Sequence, residues 1–221
     1  MQRIGYIYTS KNLCTMNTES VLKYFHEITR IPRESGHEEP MTAYLQNFAK
    51  EHGLPVKTDK TGNVVISKPA SAGKENVPIL VLQAHQDMVC EKNADFEFDF
   101  LTQPIPYVIE DGWMIAKNTT LGADDGIGIA ACLALLDSDQ PMGRLECLFT
   151  ISEETGMDGA FGLEPGFFEG KTLINLDSED EGQLFVSPVE SGYRLYSHFR
   201  PVRGSLIVSR NCSDDEPVTS N

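Results

Sequence analysis

Residues 77–87 read VPILVLQAHQD, an apolar run that ends on a histidine and an aspartate. From Val77 to Leu82 there is no polar alternation, which is the pattern of a strand buried on both faces. Two later runs repeat the arrangement: LECLFTIS over 145–152 leads into Glu153-Glu154, and TLINL over 172–176 leads into Asp177. Strands are therefore expected at 77–82, 145–151 and 172–176. In open α/β sheets, sites gather beyond the carboxyl ends of the strands. Three separate stretches thus bring a histidine and carboxylates toward one edge. The turn Gly122-Ala123-Asp124-Asp125-Gly126, at the start of a small-residue helix expected over 125–137, brings a fourth. Together these side chains are expected to form a metal site.

Around this centre the chain alternates helices with strands. Thr18 and Ser20 precede Val21, Leu22, Phe25 and Ile28 at helical spacing, and Pro32 closes that segment, so a helix spans roughly 19–30. Glu38, Glu39 and Pro40 suit the first turn of a second helix, whose apolar face is Met41, Tyr44, Leu45 and Phe48 and which Gly53 stops. Short strands follow at 54–58 and 63–67, joined through Thr61-Gly62-Asn63. A hairpin over 106–109 and 113–116 turns at Asp111-Gly112. The expected class is α/β, with a mixed sheet flanked by helices. There is no internal repeat and no low-complexity tract.

Composition removes several functions. The chain has 221 residues, of which 33 are acidic and 18 basic, giving a net charge of −15. A phosphate backbone or an anionic bilayer would be repelled over most of that surface, so neither nucleic acid nor membrane is an expected partner. No stretch reaches the roughly 18 consecutive apolar residues of a spanning helix. The five cysteines are scattered with no C-x-x-C pair, which reads as reduced thiols in the cytoplasm. Cys132 and Cys147 sit inside apolar runs as small hydrophobes rather than nucleophiles.

Each candidate residue also has a plain structural reading. His85 and Asp87 are two apart; if strand geometry persists they share a face, and the carboxylate takes the second imidazole N–H and fixes the tautomer. Alternatively, they are a satisfied core histidine and a strand-ending aspartate. Glu153 and Glu154 are neighbours and would point to opposite faces of a regular strand, so they share a site only if the chain has already turned, for which Gly156 is suited. One would then be a ligand and the other a base taking a proton from water. The alternative is a solvated acidic loop. Asp124 at a helix start is otherwise a cap, and Asp177 otherwise belongs to a solvated acidic turn. The structural readings must all hold at once to remove the site.

The segments AHQDMV (84–89), TTLGADDGIG (119–128), ISEETGMDGAFGL (151–163) and NLDSEDEG (175–182) resemble the M20 clan of di-zinc peptidases, specifically aminoacyl-histidine dipeptidases of the carnosinase-like type. The resemblance covers about residues 17–187 in order. It implies a zinc-exopeptidase catalytic domain in which His85 and Asp177 bind one zinc, Asp124 bridges two, and Glu154 binds the second. It also implies that Asp87 orients His85, that Glu153 is the general base, and that the Asp124-Asp125 bond is cis. Zinc is the implied metal, with cobalt or manganese as substitutes. The implied reaction is hydrolysis of dipeptides, Xaa-His among them, in the cytoplasm. An N-acyl amino acid deacylase shares the same motifs, and a catalytically inactive metal-binding fragment is the non-enzymatic alternative.

The sequence also departs from that family. Its members continue into a lid and dimerisation domain and a later zinc-binding histidine. Here the chain is read as truncated, without that domain or the family's dimer surface. His198 is the only histidine after NLDSEDEG and matches no family motif. Residues 188–221 carry four bases, all arginine, against four acids, whereas 17–187 carry 12 bases against 29 acids. The expected organisation is an N-terminal extension over 1–16, a partial catalytic domain over 17–187, and a non-homologous, frameshifted tail over 188–221.

Overall fold

The computed structural model describes residues 18–177 in full and, beyond them, the backbone of three strands at Arg3–Gly5, Leu184–Pro188 and Arg194–His198. In chain order the elements begin with β1 (Arg3–Gly5), α1 (Thr18–Ile28), α2 (Glu39–Glu51), β2 (Val56–Thr58), β3 (Val64–Lys68) and β4 (Leu80–His85). Then come β5 (Val108–Glu110), β6 (Trp113–Ile115), α3 (Ala123–Asp137), β7 (Leu145–Thr150), α4 (Glu153–Gly156), α5 (Asp158–Phe161), β8 (Thr172–Asn175), β9 (Leu184–Pro188) and β10 (Arg194–His198).

β4 is the hub, because its unbroken apolar run can be buried only with a strand on each side. It pairs in parallel with β7, placing His85 opposite Thr150, and in parallel with β8, placing Gln83 opposite Asn175. The full sheet runs β2-β3-β7-β4-β8-β10-β9, with β3 antiparallel to β7 and β9 antiparallel to β10, so it is mixed as expected. The three parallel strands β7, β4 and β8 all end at the same edge. β4 begins three residues later than the apolar run does, since Pro78 has no N–H for a ladder; Leu80 makes the entry by donating to the Arg144 carbonyl at 3.2 Å.

Side-chain alternation divides the core between the two faces of the sheet. Val64 and Ile66 of β3, Leu82 and Ala84 of β4, and Leu145, Cys147 and Phe149 of β7 point to one face. There they meet Phe25 and Ile28 of α1, Met41 and Leu45 of α2, and Ile129, Cys132 and Leu133 of α3. Full burial of side chains such as Phe25, Ile28 and Leu133 contributes about 1.5–3 kcal/mol each. On the opposite face Val81, Leu148 and Leu173 are covered by Leu163, Phe167 and Phe168. Cys132 and Cys147 are core residues, as their apolar settings predict.

β5 and β6 form the hairpin expected at Asp111-Gly112, where φ is 51° and 78°. β1, within the segment read as an N-terminal extension, pairs antiparallel with β6. β10, within the segment read as a frameshifted tail, pairs in parallel with β8. The rest of those two calls lies outside the described residues. Among the described residues no helix is long and apolar enough to cross a membrane.

Candidate metal centre

Three strand ends and one helix start build a single acidic cluster around His85. The imidazole is fully buried at the last position of β4. Its Nδ1 lies 3.3 Å from Asp87 Oδ1 and 3.2 Å from the Asp87 carbonyl. Its Nε2 lies 3.0 Å from Asp124 Oδ1 and 3.9 Å from Asp177 Oδ2. Burial alone would disfavour the imidazolium, but hydrogen bonds with Asp124 and Asp87 outweigh it and hold the group up to about 11.

Asp87 does more than stand behind His85. Its carboxylate is buried, and it accepts the Glu153 N–H on Oδ1 at 3.0 Å and the Glu154 N–H on Oδ2 at 3.1 Å. The Ser35 hydroxyl donates to Oδ2 as well, at 2.7 Å. Burial works against the charged carboxylate, yet these donors and His85 hold it down to about 2. Asp87 therefore fixes the backbone of the Glu-Glu pair to the histidine.

The pair reaches the cluster because the chain turns immediately after β7. Ser152 adopts φ 51° and ψ 39°, the left-handed region, and Glu153 opens the single-turn helix α4. The buried Glu38 carboxylate holds that turn, accepting the Ser152 N–H at 2.9 Å and its hydroxyl at 3.0 Å. The glutamates thus escape the opposite-face rule of a strand, with the turn at Ser152 rather than Gly156. Burial, with Asp124 nearby, raises the Glu154 carboxyl above its ordinary value.

Asp124 and Asp125 enter from the start of α3, which Gly122 opens at φ 69°. The Asp124-Asp125 peptide bond is cis, and neither residue has helical dihedrals. Asp124, its side chain 53% exposed, faces His85, whose hydrogen bond holds its carboxyl below the usual range. Asp125 turns inward and is 2% exposed; Oδ1 accepts the Gly128 N–H at 3.1 Å, while Oδ2 has no partner among the described residues. Burial raises the Asp125 carboxyl well above its ordinary value. Asp177 follows β8, its N–H donating to Asn175 Oδ1 at 2.6 Å.

The donors fall into two groups with ligand atoms within 4.8 Å of one another: His85, Glu153 and Asp177, and His85, Asp124 and Glu154. One imidazole nitrogen among several carboxylate oxygens suits zinc, cobalt or manganese. All six residues singled out from the sequence meet here, five of them offering atoms to these two groups and Asp87 behind His85. His26, His37 and His52 lie elsewhere: His52 pairs with Asp137 at 3.0 Å and His26 with Tyr107. The side chain of His198 is outside the described residues.

Sequence reading missed the residues that hold the donors in place. Arg33, Ser35, Glu38 and Thr42 come from the α1–α2 connection and the first turn of α2, and each bonds a segment of the site. Asn63 ties the α4–α5 region down, accepting the Ile151 N–H and donating to the Gly159 carbonyl. Isolated polar residues in connections carry no periodic signal, and only their hydrogen bonds in the folded chain reveal them.

A mixed α/β sheet whose parallel strands β7, β4 and β8 end together thus presents one histidine-centred acidic edge. No protein-family model matches the chain. The cytosol non-specific dipeptidase of Escherichia coli strain K12 is 46% identical over 175 residues, covering 79% of this chain and 36% of that protein. The crystal structure of the aminoacylhistidine dipeptidase from Vibrio alginolyticus superposes with a TM-score of 0.74 at 48% identity, again over 79% of this chain and 36% of the other. The aminopeptidase PepT of Bacillus cereus matches with a TM-score of 0.65 at 27% identity, over 77% of this chain and 46% of its own. The resemblance to M20 peptidases of the aminoacylhistidine dipeptidase type is therefore borne out, and the fold is that of their catalytic domain. The chain spans about a third of the length of these two dipeptidases.

Proposed function

We propose that this chain carries the metal-binding part of a dipeptidase that cleaves dipeptides, Xaa-His among them, by attack of water on the peptide carbonyl. The observation that supports it is the convergence of His85, Asp124, Glu153, Glu154 and Asp177 on one sheet edge with Asp87 behind the histidine. The names of the two dipeptidase relatives, matched at 46% and 48% identity, favour peptides over N-acyl amino acids as substrates. Zinc is the proposed metal: His85 and Asp177 would hold one ion, Asp124 would bridge to a second, and Glu154 would complete that second site. When bound, the metal supplies Lewis-acid polarisation of the carbonyl and lowers the pKa of water.

The chain's own residues do the rest. Asp87 accepts at His85 Nδ1, which presents Nε2 toward the acidic cluster. Glu153, anchored through its N–H to Asp87, takes the proton of the attacking water and delivers it to the leaving amine. The proposed domain division is an extension over 1–16, a partial catalytic domain over 17–187 and a tail of different origin over 188–221. The word cytosol in the E. coli relative's name, and the free thiols of Cys90, Cys132 and Cys147 among the described residues, support a cytoplasmic location.

The test is a titration of the metal-free chain with zinc, followed by assay against a panel of Xaa-His dipeptides and N-acetyl amino acids. Saturable binding that Asp124→Ala abolishes, with slow hydrolysis confined to the dipeptides, is the expected result. Turnover of the N-acetyl amino acids alone would replace the reading with a deacylase. Binding with no turnover of either would leave a metal-binding fragment.

A further inference from the structure

Arg33 stands outside the donor set, yet it occupies the space between the segment that follows His85 and the turn that carries Asp124. Its side chain is 3% exposed. Nη1 donates to the carbonyls of Gln86 at 3.1 Å and Asp87 at 2.6 Å, and Nη2 donates to the carbonyl of Gly122. One guanidinium thus spans the segment following His85 and the turn preceding Asp124. Its main chain is tied to the same place: the Arg33 carbonyl accepts the Met88 N–H at 3.1 Å, and Glu34 bridges in parallel to Met88.

The Asp124 turn leaves room for this group. A Cβ on Gly122 would come within 2.5 Å of Arg33 Nη2 and 2.6 Å of Met88 Sδ, and a Cβ on Gly126 within 2.7 Å of Nη2. The two glycines that flank Ala123-Asp124-Asp125 therefore sit where the guanidinium needs them bare. Among the described residues Arg33 makes no ion pair within 4.0 Å, but Asp125, Asp87 and Asp124 all act on it through space. Burying an arginine without a directly paired carboxylate is costly, and an apolar side chain would fill a purely structural gap at less cost. The planar fork is what can bond several carbonyls on two loops at once.

We propose that Arg33 is a positioning residue for the metal centre: it sets the separation of the His85–Asp87 segment from the Asp124 turn and offsets part of the charge of their carboxylates. It touches neither substrate nor metal. The inference rests on the reading that His85 and Asp124 hold metal.

The experiment titrates the full 221-residue chain with Co2+, read by visible absorption, at a temperature where circular dichroism shows each protein folded. Arg33→Met and Arg33→Lys are compared with Lys68→Met. Lys68 likewise donates to three carbonyls, those of Leu135, Leu136 and Ser138, but at the far end of α3. Arg33→Met is expected to weaken Co2+ binding by about 10- to 100-fold and to alter the absorption bands, as loss of a group supporting metal ligands does. Arg33→Lys should recover part of the affinity, because it keeps the charge but loses the fork. Lys68→Met should lower the melting temperature and leave Co2+ affinity unchanged. If Arg33→Met does not fold, Arg33→Lys alone decides, with wild-type affinity overturning the proposal. Equal weakening by Lys68→Met, or unchanged binding in Arg33→Met, would also overturn it. No Co2+ binding by the wild type would instead remove the reading of the site itself.

Discussion

His85 has a carboxylate oxygen near each ring nitrogen, Asp87 on one side and Asp124 on the other. Both neighbours favour the charged ring and raise its pKa, so a metal entering at Nε2 is expected to displace a proton. Binding near neutral pH is expected to release about one proton per metal ion at that position. Apparent affinity should accordingly strengthen as pH rises toward the raised value of about 11. Calorimetry in buffers of different ionisation enthalpy measures the release, and identical heats in all buffers would contradict it. The same shift fixes a stability sign: the charged histidine's contribution to the metal-free fold is complete below its ordinary value of 6.5 and is lost as pH rises through about 11. Asp87→Asn offers one carbonyl oxygen where two carboxylate oxygens now serve Glu153, Glu154 and Ser35. We expect a loss of about 1–3 kcal/mol, the cost of a buried donor left unmatched, in urea unfolding of the metal-free chain. A midpoint equal to wild type would show that water replaces the lost acceptor.

Among the elements, the turn from β7 into α4 matters most, because it brings two adjacent glutamates to one site. Glu38 holds that turn with a single oxygen that accepts from Gly36, Ser152 N–H and Ser152 Oγ. Glu38→Ala removes the acceptor for all three donors, so a destabilisation of about 1–3 kcal/mol is expected, with Glu38→Gln costing less because it keeps one oxygen. Metal affinity should fall in the same order, since the glutamates would lose their fixed origin. Equal effects of the two variants would show that charge rather than hydrogen bonding holds the turn. The elements themselves were largely legible in the sequence. β7 is buried at every position, its one charged residue, Glu146, being paired with Arg144, and α3 is buried on nearly all sides, which its small residues permit. The turn at Ser152 was not legible, because a serine with φ 51° has no signature of its own and the conformation is held by Glu38, 114 residues away.

For the molecule as a whole, charge is the dominant property. A net charge of −15, with acids concentrated on the same segment as the candidate site, makes the compact state self-repelling at neutral pH. Raising NaCl from low to physiological concentration should therefore raise the melting temperature of the metal-free chain by a few degrees, as screening acts over about 8–10 Å. On the proposed reading zinc should raise it further, because an ion held by the folded cluster favours the folded state. Differential scanning calorimetry reads both, and a melting temperature that falls with salt would contradict the charge argument.

The sequence determined the α/β class, the seven strands β2 to β8 and the six residues of the cluster, but not β1, β9 and β10. Apolar runs, helical spacing and the polar residues that end each strand are local patterns imposed by burial, and four contiguous motifs carried the resemblance. The tertiary structure alone decided how the donors divide into two groups, that Asp87 fixes the backbone of both glutamates, and that Arg33 and Glu38 brace the loops. Those arrangements depend on hydrogen bonds between residues dozens of positions apart, made by single buried polar side chains, and a bond of that kind leaves no periodicity in the chain to be read.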